Sequence, residues 1–264
     1  MENPASADLV VLERAAGVVT LRLNRPKALN ALDADTLHAL ARALDSAERD
    51  AAARALIITG AGDKAFSAGA DIAAMAEMAP VDGHPYSALG HAVLARVDDC
   101  RLPVVAALNG VALGGGLELA LACDLVVASE RARVGLPEIT LGLIPGFGGT
   151  QRLVRRIGLA RARELIYLGT MVGAGDAQRL GIVDRVVPAE RLADEATALA
   201  GELAQRAPLA LRQAKRATRA AVETTLEAGL RLEIEAFAAT FASEDRVEGL
   251  RAFLEKRPPQ WKGR

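Results

Sequence analysis

Two glutamates stand where carboxylates are costly. Glu118 lies in an apolar run, PVVAALNGVALGGGLELALACDLVVA (residues 103–128), and Glu138 lies in GLPEITLGLIPG, directly after Pro137. A carboxylate among apolar neighbours must be paired, hydrogen-bonded or functional. Desolvation raises the pKa of both, and mutual repulsion raises one further, so one can hold a proton at neutral pH. Such a pair suits acid–base work on a substrate whose carbonyl is held nearby. The competing reading is two structural carboxylates that cap helix ends or bridge to arginine.

Three glycine-rich turns each precede an expected helix: SAGAD (67–71), LGGGLE (113–118) and IPGFGG (144–149). Helix N-termini present unpaired N–H groups and the positive end of a dipole. Glycine lets a ligand oxygen approach those donors closely. Two facing turns would make an oxyanion hole built only from backbone. Taken singly, each turn reads rather as a tight bend or a close-packing point. None has the GxxxxGK[ST] or GxGxxG pattern of a phosphate cradle.

Other polar residues carry blander readings. Asp71 is placed as a helix N-cap, and Asp124 opens a strand where it pairs with an arginine. His38, His84 and His91 fall in no Ser–His–Asp or HExxH pattern and receive no role. The two cysteines, Cys100 and Cys123, make neither a disulfide framework nor a CxxC pair, and no metal is implied.

The elements that must position these residues alternate between strand and helix. Residues 9–13 and 17–23 read as a β-hairpin and 24–30 as a turn at Pro26. Residues 33–48 have helical spacing with an acidic start, and 54–59 read as a buried strand. Residues 65–70 are expected as a loop and 71–78 as a helix. After a break over 80–85, residues 86–97 are helical. Then come a strand at 104–108, a helix at 115–122 and a strand at 124–128. Gly146 is expected to open a helix, followed by helices at 158–168 and 176–180 and a strand at 182–187. From 189 to 256 the chain reads helical with a break near Pro208, and the final residues are a tail. This order predicts an α/β core with a C-terminal helical appendage, divided as 1–200 and 201–264.

Composition narrows the function classes. The 264 residues are 51% apolar, 3% aromatic and 25% charged, with a formal net charge of −1, so a folded core is expected and disorder is not. The 103–128 run has the length of a membrane span. Its Glu118 and Asp124 would each cost at least ~2.5 kcal/mol at mid-membrane, so it reads as strand, glycine turn, buried helix and strand. The N-terminus, MENPASADLV, lacks a basic n-region and an apolar h-region. A cytoplasmic setting is the expectation.

The segments SAGADI, NGVALGGGLELALACDLVVA, GLPEITLGLIPGFGGTQRL and FLEKRPPQWKGR, in this order and spacing, resemble the crotonase superfamily, and most closely its enoyl-CoA hydratases. The resemblance runs from NRPKALNAL (24–32) to the C-terminus. It implies a spiral of ββα units followed by C-terminal helices that build a homotrimer, often paired into a hexamer. It implies an acyl-CoA substrate and no prosthetic group.

By the same resemblance, the backbone N–H groups of Ala70 and Gly115 form the oxyanion hole. Glu118 activates the water that attacks the β-carbon, Glu138 protonates the α-carbon, and the Gly146 N–H helps to hold the water. CoA is expected along Lys27, Ala28 and Leu29 and along Ala68, Asp71 and Ile72. Phe253 and Lys256 match positions that reach a neighbouring subunit's CoA. Met75, Met78, Tyr86, Phe147, Phe237 and Phe241 are candidate wall residues. The alternatives within the superfamily are Δ3,Δ2-enoyl-CoA isomerisation and hydration of a branched methylglutaconyl-type substrate. Retention of both glutamates favours hydration over isomerisation. Some relatives of the methylglutaconyl branch bind RNA through a lysine-rich first helix. Here that helix, LDADTLHALARALDSAERDAAAR, has no lysine, and no nucleic-acid partner is expected.

Overall fold

The computed structural model describes residues 8–264. The sequence at 1–7, on which part of the leader expectation rests, lies outside the described residues. The chain opens with β1 (Val10–Ala15) and β2 (Val18–Leu23), an antiparallel hairpin. Ala16 and Gly17 turn it with φ of 49° and 80°, the left-handed pair a two-residue hairpin turn requires. Helix α1 (Ala34–Arg49) follows, N-capped by Asp33, whose side chain accepts from the Thr36 N–H.

Three repeats then share one plan. Strand β3 (Ala55–Gly60) leads at once into β4 (Ala65–Ser67), then α2 (Ile72–Ala76) and α3 (Gly83–Asp98). Strand β5 (Val104–Leu108) leads into β6 (Val111–Leu113) and α4 (Gly115–Leu121). Strand β7 (Leu125–Ser129) leads into β8 (Arg133–Gly135), α5 (Gly149–Ile157) and α6 (Leu159–Leu168). In each repeat the first strand joins one sheet and the second strand joins the other. Strand β9 (Met171–Gly173), α7 (Ala174–Leu180) and β10 (Arg185–Val187) complete the sheets. The larger sheet has the order β1-β2-β3-β5-β7-β10 and the smaller β4-β6-β8-β9. This is the ββα spiral that the resemblance implied.

The pairings β2·β3, β3·β5 and β5·β7 are parallel, and parallel strands are covered on both faces. Alternation along the strands divides the core accordingly. Leu56, Ile58, Val104, Ala106 and Leu108 face the main core. Ala55, Ile57, Val105 and Ala107 face a second cluster with Leu192, Leu199 and Ala200 of α8 (Leu192–Ala204). Helix α8 crosses residue 200 and packs on this sheet. The helices that leave it are α9 (Pro208–Glu223), α10 (Leu226–Phe241) and α11 (Glu244–Glu255). The final residues fold back: Trp261 Nε1 donates to the Gln205 carbonyl at 2.7 Å.

Some local expectations are corrected. The 65–70 loop contains β4, fully buried, a run too short for its alternation to show. The helix placed at Gly146 starts at Gly149, because Gly148 has φ +109° and cannot sit within a helix. The 182–187 strand is confined to Arg185–Val187, while Ile182 and Val183 plug the core. Asp124 pairs with Lys215 at 2.8 Å rather than with an arginine. The 103–128 run is β5, β6, α4 and β7. Among the described residues, no helix is long and apolar enough to cross a membrane.

Candidate active site

The glycine turns converge because β4 and β6 run side by side and parallel. Each carries its turn at its C-terminal end, so residues 68–70 and 113–115 meet. Gly114 is the N-cap of α4 with φ 49° and ψ −125°, a conformation open to glycine. The Ala70 N lies 3.5 Å from where a Gly115 β-carbon would stand. Ala70 forms an isolated bridge with Leu32: the Leu32 N–H donates to the Gly69 carbonyl at 2.8 Å and the Asp71 N–H to the Leu32 carbonyl at 3.4 Å. Those bonds leave the intervening Ala70 N–H unused. Among the described residues, neither the Ala70 N–H nor the Gly115 N–H has an acceptor within the protein. Two adjacent free donors at a chain turn are what an oxyanion requires.

Glu118 projects from the first turns of α4 and is 1% exposed. Its Oε1 accepts from the Phe147 N–H at 2.8 Å and from the Gly149 N–H at 2.6 Å. Burial pushes its pKa up; these backbone bonds and the Arg152 charge oppose that rise. Charge-assisted bonds of this kind are each worth about 1.5–3 kcal/mol, which offsets part of the desolvation. The carboxylate therefore has a supported ionised form with one oxygen left for a substrate proton.

Glu138 sits in a short 3-10 turn, Pro137–Leu141, which enters the cavity behind Pro137. Its Oε2 is buried and has no hydrogen-bond partner. Burial first, and the Glu118 charge as well, hold its carboxyl near neutral at about 7. An unpartnered buried oxygen with no cation beside it favours the protonated acid. The two glutamates thus have unlike environments, one with two backbone donors on its carboxylate and the other with a buried oxygen that has no partner, an arrangement suited to a base and an acid.

Both glutamates line a cavity of about 840 Å³, together with Ala68, Ala70, Ile72 and Gly115. Met75, Met78, Tyr86 and Phe147 also line it, as expected; Phe237 and Phe241 lie elsewhere, on the exposed side of α10. Phe147 stacks edge-on to Tyr86 at 5.3 Å. Tyr86 donates to the Leu32 carbonyl at 2.5 Å. Burial and the Asp33, Asp71 and Glu118 charges push its phenol to about 12, so it stays a neutral donor.

The remaining expected residues divide. Asp71 caps α2 through the Ala74 N–H at 3.2 Å and pairs with Arg25 at 2.9 Å. Its carboxylate, lowered by these bonds, is committed to structure. The Ala68 N–H donates to the Leu29 carbonyl at 2.9 Å, which ties the 27–29 segment to the cavity's edge; Lys27 and Leu29 are exposed beside it and Ala28 is half-buried. Gly146 lines the cavity, and its carbonyl accepts from the Ser87 hydroxyl at 2.6 Å. Phe253 and Lys256 lie on and just after α11, and the single chain does not bring them to the cavity. Sequence reasoning missed the Phe147 and Gly149 donors, which act through backbone and leave no side-chain signal. It also assigned nothing to Ser87, Arg152 or His91, although His91 lines the cavity.

A family model described as "Enoyl-CoA hydratase/isomerase" matches residues 13–264. The chain is 42% identical to a "Short-chain-enoyl-CoA hydratase" of Clostridium acetobutylicum, over 94% of this chain and 95% of that protein. It is 43% identical to a "Crotonyl-CoA hydratase" of Syntrophomonas wolfei, with the same two coverages. A crystal structure of an enoyl-CoA hydratase from Bacillus anthracis superposes with a TM-score of 0.94 at 42% identity, covering 97% of this chain and 100% of that one.

Proposed function

The chain belongs to the enoyl-CoA hydratase/isomerase family, and from that premise we propose that it adds water across the 2,3-double bond of a 2-enoyl-CoA thioester to give the 3-hydroxyacyl-CoA. The observation that carries the reading is the unlike pair of carboxyls. Glu118 is held by two N–H donors, whereas Glu138 has a buried oxygen without one.

In this reading the thioester oxygen accepts from the Ala70 and Gly115 N–H groups, which stabilise the enolate charge. Ionised Glu118 takes a proton from water as its oxygen bonds to the β-carbon. Glu138 gives its proton to the α-carbon. One proton has left the water and one has entered the product, so the pair resets by returning a proton from Glu118 to Glu138. The Gly146 N–H, at the cavity wall, is suited to hold the water. An isomerase moves a proton without needing a base aimed at water, so the built support of Glu118 favours hydration.

CoA lies along Lys27, Ala28 and Leu29 and past Ala68 and Ile72, with Asp71 contributing its position rather than its charge. The exposed Lys27 is a cation for the phosphates. The assembly is a homotrimer or a pair of trimers. Its support is a stripe on α10, where Leu226, Leu230, Ile234, Phe237 and Phe241 recur at helical spacing and are each 51–79% exposed. Phe253, 82% exposed, and Lys256 then reach a neighbour's CoA. Cys100 and Cys123 are free and buried, in keeping with a reducing cytoplasm.

The test is hydration of crotonyl-CoA followed by loss of thioester absorbance, with Glu118→Gln and Glu138→Gln as controls. Turnover in the parent and near-complete loss in both variants is expected. A folded parent protein inactive on every enoyl-CoA from short to long would overturn the reading.

A further inference from the structure

Glu118 depends on two backbone donors in a glycine-rich loop, and such a loop does not hold its own peptide planes. A trans peptide points its carbonyl and its N–H in opposite directions. Whatever grips the carbonyl therefore aims the N–H. The 146–147 peptide presents its N–H to Glu118 at 2.8 Å, and its carbonyl, that of Gly146, accepts from the Ser87 hydroxyl at 2.6 Å. The next carbonyl, that of Phe147, shares its peptide with the Gly148 N–H and accepts from Arg152 Nη1 at 2.8 Å. The Gly148 carbonyl, in the peptide of the Gly149 N–H, accepts from the Gln151 and Arg152 backbone N–H groups at 3.0 and 2.9 Å, in the first turn of α5. Arg152 is in turn locked to Asp98 at the end of α3, by Nε at 3.2 Å and by a second bond from Nη2. The guanidinium lies over Gly148, where a β-carbon would fall 2.2 Å from Nη1.

We propose that Ser87 and the Asp98-locked Arg152 are positioning residues for Glu118: they grip the Gly146 and Phe147 carbonyls and so set the planes of the two peptides that lead into Gly149, the first of which aims the Phe147 N–H at Oε1. Both anchors come from α3, so the loop, α5 and Glu118 are referenced to one helix. Neither residue transfers a proton. Arg152 adds its charge, which opposes the effect of burial on Glu118. The other titratable groups facing this carboxylate are Glu138 on its 3-10 turn and Tyr86 and His91 on α3, with Asp98 behind Arg152.

The sign of a pH shift separates this role from a merely structural one. Loss of aimed N–H groups, with the site still dry, makes ionisation of Glu118 harder and moves its titration to higher pH. General loosening would wet the carboxylate and move it to lower pH. The variants are Ser87→Ala, Ser87→Thr, Arg152→Gln and Arg152→Lys. Ser87→Ala is expected to lower kcat by about two- to tenfold, the worth of one neutral hydrogen bond. Arg152→Gln, which removes a charged donor, is expected to lower it about ten- to hundredfold. KM is expected to stay within about twofold, because the thioester is held by other groups. The acid limb of kcat should move upward in both, less in Arg152→Lys, and return in Ser87→Thr.

The kinetic arm rests on the hydratase reading. A second readout does not: the Glu118 carboxyl carbon, assigned with Glu118→Gln, is titrated by NMR in protein labelled with 13C-glutamate. An upward midpoint in Ser87→Ala and Arg152→Gln supports the proposal even if no enoyl-CoA is turned over. An unmoved or downward midpoint in either soluble variant overturns it, whatever happens to kcat.

Discussion

A β-carbon on Gly114 would stand 2.8 Å from Oε1 of Glu138, so the N-cap of α4 and the proposed acid share space that only glycine leaves open. The same residue has φ 49° and ψ −125°. The 113–118 glycine turn and the 3-10 turn of Glu138 are therefore coupled through a contact that neither shows alone. Gly114→Ala is expected to cost about 1–3 kcal/mol in backbone strain and to displace Glu138. Thermal melting should show the first effect. Hydration kinetics should show the second, as a fall in kcat larger than any change in KM.

Glu118→Gln and Glu138→Gln should each lower kcat by about 10²–10⁴, the usual contribution of general acid–base groups. Their folds should survive. Glu118→Gln can keep an acceptor oxygen on the Phe147 and Gly149 N–H groups, and Glu138→Gln removes a group that is most comfortable uncharged. Steady-state kinetics beside circular dichroism checks both. A variant that keeps parent-level turnover would show that its carboxyl is not used.

Glu138 gives a pH-dependent stability with a definite sign. Its folded value, about 7, lies above the ordinary carboxylate range. The folded state therefore binds more protons than the unfolded state between those values, and stability falls as pH rises through that window. Replacing Glu138 by Gln should raise the melting temperature at pH 8 relative to the parent, and much less at pH 4. A gain of a few degrees is expected, the scale of about 1 kcal/mol for a chain of this size. The same protonation sets an alkaline limb near pH 7 in the hydration rate, and equal activity at pH 6 and pH 9 would contradict it.

The α10 stripe should be covered in solution. Phe237→Glu, at a position 65% exposed in the single chain, would place a charge within an apolar interface. Sedimentation should then change from a trimer or hexamer to smaller species, with the helical content kept. Unchanged sedimentation would show that this face is not the contact.

Asp71 should matter to stability more than to catalysis. Its carboxylate caps α2 and pairs with Arg25, which also pairs with Asp33 at 3.0 Å. Asp71→Ala is expected to cost about 0.5–2 kcal/mol as the loss of a cap, read as a lower melting temperature. Asp71→Asn should recover most of it, since the amide oxygen can still accept from the Ala74 N–H.

Local chemistry determined much of this protein before any fold was known. The positive-φ turn at Ala16-Gly17, the Asp33 and Asp71 caps and the apolar runs of β3, β5 and β7 are short-range signals. Glu118 and Glu138 were legible because a carboxylate among apolar residues needs an explanation. The order of the glycine motifs identified the family. The strands β4, β6, β8 and β9 were not legible as elements, because three residues are too few for a period to show.

The tertiary structure alone decided what surrounds each carboxyl. Glu118 meets the Phe147 and Gly149 N–H groups across about thirty residues of sequence, and Ser87 reaches Gly146 across about sixty. Backbone donors have no side-chain identity, so no residue type announces them. The unlike surroundings of the two glutamates also arise there. Spacing could show that two costly carboxylates exist, but only packing could give one of them two donors and leave the other an oxygen without any.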